Sequence, residues 1–145
     1  MILWLRNIAA YAVCAVASQA AAQWIGSTVI ADVLIPNLTT IVIALLAINV
    51  QTTAVIAVKL RELADRARLN LSSSVGQFRL AIFEQAFLVV ASLAITAVAK
   101  SPSVLTAALT INLAAFFVFY ASLHIFLDTT IGLLVALFPE DSGSA

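Results

Sequence analysis

Charge is scarce in this chain. Only 10% of its 145 residues are Asp, Glu, Lys or Arg, against about 25% in a typical soluble domain. That supply is too thin to cover a water-exposed surface, and it excludes an ordinary soluble globule. Seven basic residues offset seven acidic ones, so a nucleic-acid partner has no electrostatic support. Cys14 is the single cysteine. It excludes an intramolecular disulfide and a cysteine-based metal cluster within one chain. A buried, inert thiol is expected, with a bridge between two protomers as the alternative. One histidine, His124, and one methionine, Met1, exclude a bis-histidine haem on one chain. A single histidine also falls short of the three or four ligands of a typical metal site, so no metal and no cofactor are expected. The chain lacks a Gly-rich phosphate loop, a G-x-S-x-G elbow and an HExxH pair. No enzymatic activity is expected.

What is present is oil. Apolar residues make up 63% of the chain, and the mean hydropathy is +1.13. A bilayer core of about 30 Å takes about 20 helical residues to cross. Four apolar stretches meet that length, at 2–24, 33–58, 78–99 and 104–138, with a polar, helical loop at 59–77. Backbone groups in lipid must be satisfied within a segment, so these stretches read as helices. The expected fold is all-α: one polytopic membrane domain over 1–145, a four-helix transmembrane bundle.

Orientation follows from the basic residues. Arg6, Lys59, Arg61, Arg66, Arg68 and Arg79 fall in one compartment, and Lys100 alone in the other. The positive-inside rule places both termini and the central loop in the cytoplasm. The expected setting is a multi-pass protein of a bacterial inner membrane. Ala20-Ala21-Ala22 before Gln23 also imitates a signal cleavage site. A retained helix is the expectation, and a mature N-terminus at Gln23 would mark cleavage instead.

The fourth stretch is too long for one span. Its 35 residues would make a helix of about 52 Å. Asp128-Thr129-Thr130-Ile131-Gly132 is the natural place for a break, with Asp128 as N-cap. Pro36-Asn37 is a comparable helix start in the second stretch. A faint echo links Asn37-Leu38 and Gln51-Thr52-Thr53 with Asn112-Leu113 and Asp128-Thr129-Thr130. It reads as chance similarity or as two related helical hairpins.

Polar side chains inside apolar stretches are costly, which makes them the candidates for function. His124 and Asp128 are four residues apart and share a helix face. They form a proton or cation relay, or else they neutralise each other or cap a helix. Glu84 sits five residues beyond Arg79, about 7.5 Å deeper. It pairs with a basic residue of the central loop or stands at the mouth of an ion pathway. Asn49 and Gln51 add amides in the second span, with Gln85, Ser92 and Thr96 in the third. Such groups also serve as plain hydrogen bonds between helices. In the first span, repeated alanines with Ser18 and Gln19 allow close helix approach, within the bundle or between copies.

After the second span, Leu60, Leu63, Ala64, Ala67 and Leu71 keep helical spacing, with charges opposite. The helix is expected to continue to Asn70, with a serine at 72–74 capping the third. Lys59, Arg61, Arg66 and Arg68 on this extension are candidates for contact with a partner or with anionic lipid.

Pro36 to Leu63 resembles the signature of the low-affinity iron permease family. The matching positions are Asn37, Thr39, Thr40, Ile41, Val42, Asn49, Gln51, Lys59, Leu60, Glu62 and Leu63. The interval between the threonines and Lys59 is shorter than the family's and lacks its charged residues. The resemblance implies a membrane setting and cation transport. Two function classes follow from the whole reading. One is a cation or proton channel, transporter or pore-forming oligomer using His124, Asp128, Glu84, Asn49 and Gln51. The other is a non-catalytic anchor or assembly subunit, bound to a partner through the cytoplasmic loop. The expected partners are the lipid bilayer and either a second copy or another membrane subunit.

Overall fold

The computed structural model describes residues 2–67, 72–101 and 108–137, and the side chains of 2–4, 31, 59–67, 72–75 and 133–137 lie outside the described set. The chain is all-α, with α1 (Ile2–Trp24), a π-helical turn (Ile30–Leu34), α2 (Ile35–Ala67), α3 (Ser72–Ala99) and α4 (Ala108–Leu137). Helix follows from an Ala/Leu/Ile/Val-rich chain with few glycines or prolines to interrupt it.

Where glycine does occur between helices, it has a specific task. Gly26 takes φ +65° just past α1. Its N–H donates to the Gln23 carbonyl at 3.2 Å, and the Ser27 N–H donates to the Ala22 carbonyl at 2.8 Å. This pair of bonds satisfies the last carbonyls of α1 and ends it in a Schellman turn. Ser27 then faces forward, its Oγ accepting from the Val29 N–H at 3.3 Å, as an N-cap does. The helical path starts there, earlier than Pro36. The π turn lies immediately before Pro36, with the Ile35 N–H reaching the Ile30 carbonyl. Proline has no N–H and its ring crowds the preceding turn. A widened turn relieves that crowding and lets α2 run on through it.

α4 is the hub of the bundle. It packs against α1, α2 and α3; α2 and α3 also pack on each other, whereas α1 rests on α4 and hardly touches either of them. The two sequence hairpins therefore pack differently: α3 lies against α4, while α1 is separated from α2. The echo between them has no counterpart in the packing.

The apolar core sits at one end of the bundle, around Ile30, Ile35, Leu38, Val42, Ala115 and Val118. That is the end carrying the α1–α2 turn. Towards the other end Asn49, Thr53, Gln85, Ser122 and Thr129 make the interior more polar. Among the described residues, nine apolar and seven polar side chains are buried, the polar ones being Gln19, Asn49, Thr53, Gln85, Ser92, Ser122 and Thr129. Large apolar side chains instead cover the outside, including Val13, Val16, Val55, Phe83, Phe87 and Val90. An exterior greasier than its interior is suited to lipid.

Three helical segments are long and apolar enough to cross a bilayer: Asp32–Val58, Gly76–Ala99 and Ala108–Gly132. α1 is not among them within the described residues. Its 23 residues give about 34 Å of helix, so length is adequate. Arg6, Asn7, Gln19 and Gln23, set among weakly apolar alanines, dilute it. Cys14 is free and exposed on α1, not buried as expected.

The fourth helix corrects a further expectation. It continues unbroken through Asp128-Thr129-Thr130-Ile131-Gly132. Thr129 and Thr130 donate their hydroxyls to the carbonyls of Ile125 and Phe126, both at 2.8 Å. The threonines thus satisfy their hydroxyls along the helix, and Asp128, in mid-helix, is not an N-cap. In the polar segment after Val58, α2 continues to Ala67 and α3 begins at Ser72.

Candidate functional site

Four helices with one hub leave a gap. α1 and α3 both lean on α4 without packing on each other, and between them lies a cleft of about 510 Å³. Its floor is α4, where Phe117, Ala121, His124 and Asp128 recur at helical spacing on one face. One wall is α1, with Asn7 and Tyr11 a turn apart; the other is α3, with Glu84 and Phe87.

Three of the sequence candidates, Glu84, His124 and Asp128, line this one cleft. They come from two helices, and all three are exposed to it or to its surroundings. His124 and Asp128 share a face, but among the described residues they are not joined as an ion pair. His124 turns instead to α1. Its Nδ1 lies 2.9 Å from the Tyr11 hydroxyl, with the two rings 5.4 Å apart. Tyr11 also meets Phe117 edge-on, at 5.7 Å and 79°. The roles follow the tautomer: a neutral ring accepts at Nδ1 from the tyrosine O–H or donates from Nδ1–H to the tyrosine oxygen, and a protonated ring donates. In each case the contact ties the ring to Tyr11.

A second tie fixes α1 to the hub: the Ser18 and Tyr120 hydroxyls meet at 2.6 Å. Tyr120 is braced by Phe116 and Phe119, with ring centroids at 6.1 and 5.5 Å. Tyr11 and Asn7 are the site residues that reading the sequence missed. The available signal was spacing: Asn7, Tyr11 and Ser18 fall at intervals of four and seven, one polar stripe along an alanine-rich helix.

Asn49 and Gln51 do not join the cleft. Asn49 is buried between α2 and α3, where its Nδ2 donates to Gln85 Oε1 at 2.8 Å. Gln51 is exposed on α2. Further along the α2–α3 seam the Thr39 and Thr96 hydroxyls meet at 3.3 Å. Asn49 Oδ1, Gln85 Nε2, Thr53 Oγ1 and Ser122 Oγ are buried without a partner. Lys59, Arg61 and Arg66 lie on the α2 backbone with side chains outside the described residues, and Arg68 lies wholly outside them. Among the described residues, no group of three His, Cys, Asp or Glu is close enough to hold a metal ion.

Tyr11→Phe tests the α1–α4 tie. Losing one hydrogen bond is expected to cost about 0.5–1.5 kcal/mol. The thermal midpoint in detergent should fall, and the imidazole nitrogen signals of His124 should shift in NMR. Unmoved signals would mean that the hydroxyl does not reach Nδ1.

Comparison with protein-family models, with curated proteins and with solved structures finds no match.

Proposed function

We propose that the protein moves a cation across a lipid bilayer by way of the cleft between α1, α3 and α4. The observation that carries this is the meeting of Glu84, His124 and Asp128 on one cleft. Carboxylates on helices of this apolarity are costly unless a partner or a pathway makes use of them. Here they share a concavity with a histidine tied to Tyr11 through Nδ1. In this reading α1 completes the bundle in the membrane, its polar stripe turned to α4, and both termini face the cytoplasm. The resemblance to low-affinity iron permeases points the same way for cation transport, although its residues lie on α2, away from the cleft.

The test is reconstitution. Proteoliposomes loaded with a pH dye or with rubidium are expected to show cation movement above that of protein-free vesicles. Movement equal to the empty vesicles, for protons, rubidium and an organic cation such as tetraethylammonium alike, would remove the reading.

One observation favours a second reading, an anchor or assembly subunit. α2 has 33 residues, and its apolar part ends at Val58. The helix continues beyond that point to Ala67, and its sequence there, with Lys59, Arg61 and Arg66 beside Glu62 and Asp65, offers charged groups to a partner or to anionic headgroups. Purification in mild detergent separates the two: a chain that always migrates without another protein counts against the anchor.

A further inference from the structure

We infer that the cleft takes an amphiphilic organic cation, which reaches it sideways from the lipid. This rests on the cation reading above and names the class of cargo.

Size argues first. About 510 Å³ falls within the range of small-molecule pockets, roughly 300–1,000 Å³, and far exceeds what one bare ion fills. A dehydrated metal ion needs several ligands converging on a point. No such convergence of three occurs among the described residues.

Charge argues next. The lining carries two carboxylates, Glu84 and Asp128, and no lysine or arginine. A cationic guest is the complement of that lining, and an anion is excluded. His124 is the other titratable group of the floor, held by Tyr11 on the facing wall.

The apolar part of the lining then selects the kind of cation. Tyr11, Phe87 and Phe117 place aromatic rings beside the carboxylates. Aromatic faces attract cations, most of all weakly hydrated organic ones. A strongly hydrated metal ion gains little from such walls. Access follows from the sparse contact between α1 and α3. Phe83 and Phe87 are 68% and 71% exposed on the α3 rim, and exposed aromatics there give a greasy ligand an apolar path in. Glu84 and Asp128 line the same cleft.

The experiment uses the purified full chain in nanodiscs, with tetraphenylphosphonium as the probe and triphenylphosphine oxide as its uncharged counterpart. Saturable binding of the cation is expected. The neutral compound should bind at least tenfold more weakly, and Glu84→Gln and Asp128→Asn should each weaken the cation at least tenfold. Circular dichroism and gel filtration of each variant show whether it is folded. Phe83→Leu, placed on the rim, should slow association more than it changes affinity. Equal binding of the neutral compound would reduce the cleft to a lipid-tail groove and overturn the proposal. Absent phosphonium binding alongside a carboxylate-dependent rubidium flux would overturn the organic cargo and leave cation transport standing. Loss of both overturns both.

Discussion

Joint replacement of the two cleft carboxylates, Glu84→Gln with Asp128→Asn, is expected to cut cation flux in proteoliposomes by roughly ten- to a hundredfold, since each 1.4 kcal/mol lost is a factor of ten in occupancy. Both changes keep the volume and the hydrogen-bonding reach of the side chains and remove only the charge. The physical argument gives the two measurable quantities opposite signs. An ionised group among apolar helices costs free energy to bury, so the neutral variant should insert and fold at least as well as the wild type. A cation in the cleft, by contrast, loses both of its counter-charges. Falling flux with an unchanged or raised thermal midpoint is therefore the expected signature. Falling flux with a collapsed midpoint would show only a folding defect, and Glu84→Asp with Asp128→Glu should then restore the charge and the flux together. If flux stays at the wild-type level in a folded protein, the cleft carries no ion, and the projecting end of α2 becomes the better guide to function.

The helices were legible because lipid imposes a simple rule. Runs of apolar residues of bilayer length must be helical, and α1, α2, α3 and α4 start or stop near the charges and glycines that interrupt those runs. Packing partners were not legible. That α1 leans on α4 and not on its sequence neighbour α2 depends on contacts about a hundred residues apart, such as Tyr11 with His124 and Ser18 with Tyr120. The polar stripe of Asn7, Tyr11 and Ser18 marks a face of α1 but does not name the helix it meets. The candidate site was legible by half. Glu84, His124 and Asp128 stand out because charge is rare in such stretches, and they share the cleft.

Geometry explains why Asn49 and Gln51 behave differently from those three. Each helical residue turns about 100°, so positions two apart point in nearly opposite directions, and one of this pair had to face outward. Asn49 is 1% exposed, and Gln51 is the exposed one. Glu84 and Gln85 are adjacent and about 100° apart, enough to put the first on the cleft and turn the second to α2. The break expected at Asp128 failed for a chemical reason. Asp-Thr-Thr-Ile-Gly reads as a turn in water, where side chains compete for the backbone. Here Thr129 and Thr130 bond back along the helix, and the helix stays whole.

The buried amide pair offers the clearest energetic test of the α2–α3 seam. Asn49→Leu alone leaves Gln85, which is fully buried, with both ends of its amide unmatched. Gln85→Leu does the same to Asn49. An orphaned buried polar group costs about 1–3 kcal/mol, while hydrogen bonds between membrane helices have averaged about 0.6 and reached about 1.7 kcal/mol. Each single variant is therefore expected to lose on the order of 1–2 kcal/mol in denaturant unfolding in detergent. The double variant should behave otherwise. Asn49 Oδ1 and Gln85 Nε2 already lack partners, and two leucines of similar size remove those orphans along with the bond. Stability is expected to return to the wild-type level or above it, a departure from additivity of at least 2 kcal/mol. Additive losses would mean that the two amides do not bond to each other. A double variant weaker than the sum of the two singles would mean that Asn49, Gln85, Thr53 and Ser122 together hold water. The polar layer inside α2, α3 and α4 would then be a hydrated seam whose bound water stabilises the bundle.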